Sequence, residues 1–135
     1  MKKAFNIETR IGSFNKINDT VGELTFKGTF DATVEEAKEL TQKMNELMNN
    51  QPYFLVNFLS GDLGSFPPEI WHYLGTDKAH NAFIEGSVVV TKSIGYKMQI
   101  NVFFKKYSPV YPKNIVDTKE EAYAWIEKIK LFISQ

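Results

Sequence analysis

The side chains able to do chemistry are few in this chain of 135 residues. Two histidines, His72 and His80, stand eight residues apart. A helix that binds a metal usually places its ligands at i and i+3 or i+4. Asp77 lies between the two, but Gly75 is expected to break the helix there. The pair is therefore read as two half-exposed surface histidines, with no metal site. No glycine-rich phosphate loop and no GxSxG elbow occurs. The acidic pairs Glu35-Glu36 and Glu120-Glu121 fall in first helical turns, where they complement the helix dipole. With no cysteine in the chain, disulfides, thiolate catalysis and cysteine-held metals are excluded. These residues assign no catalytic group and no cofactor.

Hydroxyls remain, in SGDLGSFPPE, Ser60 to Glu69. This stretch follows the apolar run FLVNFL and precedes IWHYL. Ser65 comes just before Pro67-Pro68, and proline is favoured at the first positions of a helix. A capping role follows for Ser65. It is an imperfect one, because the box would need Glu or Gln at position 68, and the boundary is expected at 66 or 67. The two prolines remove amide donors that a helix start would offer a phosphate. Glu69 adds a negative charge to the same turn. Phosphorylation of Ser60 or Ser65 is disfavoured on both counts.

The elements around this loop are legible from periodicity. Phe5, Ile7, Thr9 and Ile11 alternate with polar residues as a half-buried strand. Leu24, Phe26, Gly28 and Phe30 give a second, and Phe14 to Ile17 a hairpin partner for it. Thr33-Val-Glu-Glu36 and Thr118-Lys-Glu-Glu121 are capping boxes. The first opens a helix through Met48 that stops in Asn49-Asn50-Gln51-Pro52, and the second a last helix with Ala122, Trp125, Ile126, Ile129, Phe132 and Ile133 as its buried stripe. The runs at 54–59 and 87–91 are almost continuously apolar, as in strands covered on both faces. Short helices are expected over Glu69–Leu74 and from Thr76-Asp77 to Phe83, and a short strand within Tyr111–Asp117. Lys97 to Phe104 satisfies both periods: Met98, Ile100, Val102 and Phe104 alternate, while Ile94, Met98 and Val102 share a helical face. The aromatics Trp71, Tyr73, Phe83, Phe103, Phe104, Tyr107 and Tyr111 are read first as core, and second as the lining of an apolar pocket.

Composition fits one domain, 1–135, of mixed α/β class. The hydrophobic fraction of 43% provides a core without cross-links. Sixteen basic and sixteen acidic residues cancel, so no nucleic-acid or anionic-membrane footprint is visible. No apolar run approaches the roughly 20 residues that span a bilayer. A cytoplasmic location is expected.

The order of elements resembles the STAS domain of anti-sigma-factor antagonists, the SpoIIAA-like fold. INVFFKKYSPVYPKNIVDTKEEAYAWI, Ile100 to Ile126, resembles a signature of a bacterial STAS/SEC14-like subgroup. Asn101, Phe103, Pro109, Tyr111, Pro112, Ala122 and Trp125 carry it. The resemblance implies a mixed β-sheet with crossover helices, and a helix over the ambiguous 95–106 segment. It also implies a phosphorylatable serine at the helix start after the central strand. That position falls near Pro67 to Glu69, where no hydroxyl stands. The expected function is a non-enzymatic regulatory module contacting a protein partner at residues 60–75, through Ser65, Phe66, Glu69 and Trp71. The alternative is a small-molecule or lipid site, an apolar pocket between helices and sheet.

Overall fold

A computed structural model describes residues 5–27, 31–59 and 66–134. Six strands form one sheet in chain order: β1 (Asn6–Glu8), β2 (Gly12–Asn18), β3 (Val21–Phe26), β4 (Tyr53–Phe58), β5 (Ile84–Val90) and β6 (Lys113–Val116). The first three are antiparallel neighbours, and β3 through β6 run parallel. Parallel neighbours need crossovers. Helix α1 (Val34–Leu47) links β3 to β4, α2 (Pro68–Thr76) and α3 (Lys78–Asn81) link β4 to β5, and α4 (Ile94–Tyr107) links β5 to β6. Helix α5 (Lys119–Ile133) follows β6.

Side-chain alternation along β4 divides the core. Tyr53 and Leu55 join Leu40 and Met44 of α1, Ile70 and Tyr73 of α2, and Tyr96 and Ile100 of α4. Phe54 and Val56 point the other way, to Ala122 and Ile126 of α5. The sheet is thus covered on both faces, which is why β4 reads as an apolar run broken only at Asn57. β4 and β5 are adjacent and parallel as expected, though β5 begins earlier, at Ile84.

Local chemistry sets the helix starts. Thr33 and Glu36 close a reciprocal capping box on α1. Thr118 accepts from the Glu121 amide at α5, Asp77 from the His80 amide at α3, and Ser93 from the Tyr96 amide at α4. After α1 the chain reverses through Asn49 and Asn50, at φ 59° and 52°, a region asparagine tolerates better than most residues.

The ambiguous segment is helical. Within α4, Tyr96, Ile100 and Phe103 face inward, while Ile94, Met98 and Val102 stay exposed. A strand would have put Met98, Ile100 and Val102 on one face.

Other expectations are corrected. Gly75 lies inside α2 and does not end it. A Cβ there would stand 2.3 Å from Cγ of Tyr107, so the glycine marks a close approach of α2 to α4. The α5 stripe is shorter than its periodicity suggests. Phe132 and Ile133 are exposed because the helix has run past its last buried residue, Ile126, and Trp125 is only partly buried. β3 ends at Phe26, and the expected extension through Gly28 and Phe30 lies outside the described residues.

Candidate functional site

The expected contact residues divide. Trp71 is half-buried and Glu69 is exposed on the first turn of α2. Phe66, expected to project from the loop, is instead only 6% exposed. It turns inward because two aromatic neighbours hold it: Phe26 at 5.1 Å and Trp71 at 4.9 Å, both edge-on. Ser60 and Ser65 lie outside the described residues. The N-cap position of α2 is Pro67, with no side-chain cap bond, which agrees with the expected boundary.

Phe66 and Trp71 start an aromatic layer. Trp71 meets Phe103 at 5.2 Å, and Phe103 meets Tyr107 at 5.2 Å. Hollows lie on both sides of it. Outside is an open groove of about 530 Å³, walled by Pro68 and Trp71 on α2 and by Met98 and Val102 on α4, with Lys106 and Tyr107 at one end. Inside, between the helices and the sheet, is a cavity of about 80 Å³. Both reach the same aromatic side chains: Phe66, Trp71 and Phe103 line groove and cavity alike. The aromatics therefore serve as core and as walls.

The groove joins an exposed apolar stripe. Ile94, Met98 and Val102 are 76%, 65% and 64% exposed. Spaced four residues apart, they form a row about 12 Å long. The stripe runs toward Lys105 and Lys106. α4 carries no acidic residue, and neither lysine makes an ion pair among the described residues. Lys97, elsewhere on the helix, is bridged to Asp117.

Polar groups are sparse in the cavity wall. One set sits where α1, α2 and α3 meet. The Tyr73 hydroxyl donates to Thr41 Oγ1 at 3.0 Å, and Thr41 Oγ1 lies 3.1 Å from His80 Nδ1. Thr41 has one hydrogen to give, so a relay from Tyr73 through Thr41 leaves Nδ1 as acceptor and the proton on Nε2. His80 is buried, not half-exposed as expected, because the Asp77 cap folds α3 back against α1. Burial pulls its pKa down to about 4, partly opposed by Asp77, and the ring is neutral at pH 7. His72 is exposed. The second set is on the sheet. Asn57 Nδ2 donates to Ser87 Oγ at 3.0 Å and to the Val88 carbonyl at 3.2 Å.

Sequence reasoning passed over several of these residues. Asn57 is the polar interruption in FLVNFL and Ser87 opens SVVVT, and a polar residue in a doubly covered strand is a signal in itself. The outward face of α4 was visible only once the helical period had been chosen over the alternating one. Among the described residues no cluster of three metal-ligating side chains forms and no helix is long and apolar enough to cross a membrane.

Comparison with curated proteins and with solved structures gave no significant match. The model of one family, described as "Domain of unknown function (DUF7793)", matches residues 16–130, from β2 to the last turns of α5, and the chain belongs to that family.

Proposed function

We propose that this domain is a non-enzymatic, STAS-like interaction module whose partner surface is the groove between α2 and α4. The occupant is an amphipathic helix of a partner protein, apolar on one face and acidic at its edge. The observation that carries this reading is the stripe of Ile94, Met98 and Val102, each more than three-fifths exposed and continuous with the groove. Solvent-facing apolar residues in a row of this kind mark interaction sites more often than scattered ones do. A row of apolar side chains along one helix face beside a groove is the surface on which an amphipathic helix lays its own apolar face. Charge supports an acidic occupant, because Lys105 and Lys106 close the row with no acidic neighbour on the helix. Trp71 supplies the large aromatic that interface centres favour. The surface thus keeps Trp71 of the expected contact set, with Glu69 at its margin, and moves from the loop to the two helices.

The test is a photo-crosslinking residue at Met98 in the native host, with the captured segment identified by mass spectrometry. Capture of an acidic amphipathic helix, lost in a Val102→Glu background, is the expected outcome. Capture of a second copy of this chain, of lipid, or of nothing would overturn the reading.

A further inference from the structure

We infer that the internal cavity is a binding site for a small apolar molecule bearing one hydroxyl group, held on the sheet by Asn57 and Ser87. This rests on the floor of the cavity and is independent of the α2–α4 groove. Asn57 spends both amide hydrogens, on Ser87 Oγ and on the Val88 carbonyl. The Val88 carbonyl can only accept, so the amide orientation is fixed. Its Oδ1 is then an acceptor with no donor among the described residues; Asn57 lines the cavity and is 8% exposed, and Oδ1 keeps part of that exposure, since among the described residues no fully buried side-chain oxygen lacks a partner. Ser87, equally buried, receives a bond on its oxygen and keeps its hydrogen to give. One acceptor and one donor therefore stand side by side on adjacent central strands. Together they match a hydroxyl, which gives one hydrogen bond and takes another.

The remainder of the cavity selects what that hydroxyl is attached to. Leu55, Val89, Ile100 and Phe103 make the surrounding wall apolar. A water molecule needs two to four polar partners to settle in a buried site. The Asn57–Ser87 pair can hold one, but about 80 Å³ is the share of two to three waters in the liquid. The rest of the space suits carbon. An engineered cavity of about 150 Å³ takes benzene, so this one fits a group of roughly three or four heavy atoms, the size of a short-chain alcohol. Larger alcohols require the aromatic layer of Phe66, Trp71 and Phe103 to yield.

The probe is 1-propanol, titrated against the methyl resonances of Leu55, Val89 and Ile100 in the full chain, beside its isomer ethyl methyl ether. The ether has the same atoms and accepts a hydrogen bond, but donates none to Asn57 Oδ1. The expected result is saturable shifts and ligand-to-methyl Overhauser contacts for the alcohol, with affinity about tenfold or more above the ether's. Ser87→Ala should weaken alcohol and ether alike, because each accepts from the Ser87 hydroxyl, and leave the preference for alcohol in place. Asn57→Leu should abolish the preference for alcohol. If either variant misfolds, the alcohol-to-ether ratio in the wild-type protein still decides. Equal affinities, unperturbed methyls at the highest soluble alcohol concentration, or slowly exchanging waters that the alcohol does not displace would each overturn the inference.

Discussion

Gly75→Ala sets two effects of known sign against each other. In an exposed helix interior the substitution stabilises by about 1 kcal/mol, because alanine restricts the unfolded chain and glycine does not. Here the new methyl would lie 2.3 Å from Cγ of Tyr107, and 2.5 and 2.7 Å from its two Cδ atoms. Those atoms are the root of the ring: rotation about χ2 leaves Cγ in place, and only a change of χ1, which swings the whole ring off Phe103 and His72, would clear them. Either α4 moves away from α2 or the whole tyrosine is displaced. Overpacking of this kind costs about 1–3 kcal/mol. The net expectation is a loss of about 1 kcal/mol, and a melting temperature lower by a few degrees at this chain length. Tyr107→Ala removes the obstacle. In that background Gly75→Ala should regain its propensity benefit and stabilise by about 0.5–1 kcal/mol. Urea unfolding of the four proteins gives the coupling directly, about 2 kcal/mol between two contacting sites. Stabilisation by Gly75→Ala in the wild-type background, or zero coupling, would refute the close approach and with it the geometry of the groove end.

Two further outcomes follow from the core. Trp125→Ala should cost about 2–3 kcal/mol, below the value for a fully buried aromatic, because the ring is partly exposed and packs beside Phe54 and Gly86; a denaturation midpoint at the wild-type value would place the ring in solvent. His80 makes stability depend on pH with a definite sign. Its folded pKa of about 4 lies below the ordinary value of 6.5, so the unfolded chain binds the proton first. Stability is complete above about pH 6.5 and falls by about 3 kcal/mol as pH drops toward 4. His80→Gln should flatten that fall. Glu36, drawn down to about 2 chiefly by Arg10, acts only below its ordinary range, so the interval above pH 4.5 reports His80; an unchanged slope there in the variant would contradict its burial.

The frame of the molecule was written in short-range signals. The capping sequences at Thr33, where the box closes, and at Thr118, where only the Glu121 amide is capped, locate the starts of α1 and α5, and the two apolar runs locate β4 and the body of β5, since each signal lies within one or two turns of chain. The errors share a cause. Gly75 looked like a stop because its partner, Tyr107, is 32 positions away on another helix. Phe66 looked like a projecting side chain because Phe26, its neighbour, stands forty positions earlier at the end of β3. His80 looked exposed because only the fold brings Thr41 beside it. Phe132 and Ile133 kept the helical period after the sheet had ended beneath them. Periodicity states which face could be buried, and tertiary contact decides how far along the helix that face is covered.

The docking reading is tested most directly by binding of the crosslinked partner segment, as a synthetic peptide, to wild-type protein and to Met98→Glu/Val102→Glu. Both residues are about two-thirds exposed, so the double variant should unfold within about 0.5 kcal/mol of wild type. The account predicts that its peptide affinity nevertheless falls at least a hundredfold, and that Lys105→Ala/Lys106→Ala weakens binding at low salt more than at high salt. Undiminished binding by a correctly folded Met98→Glu/Val102→Glu protein would contradict it.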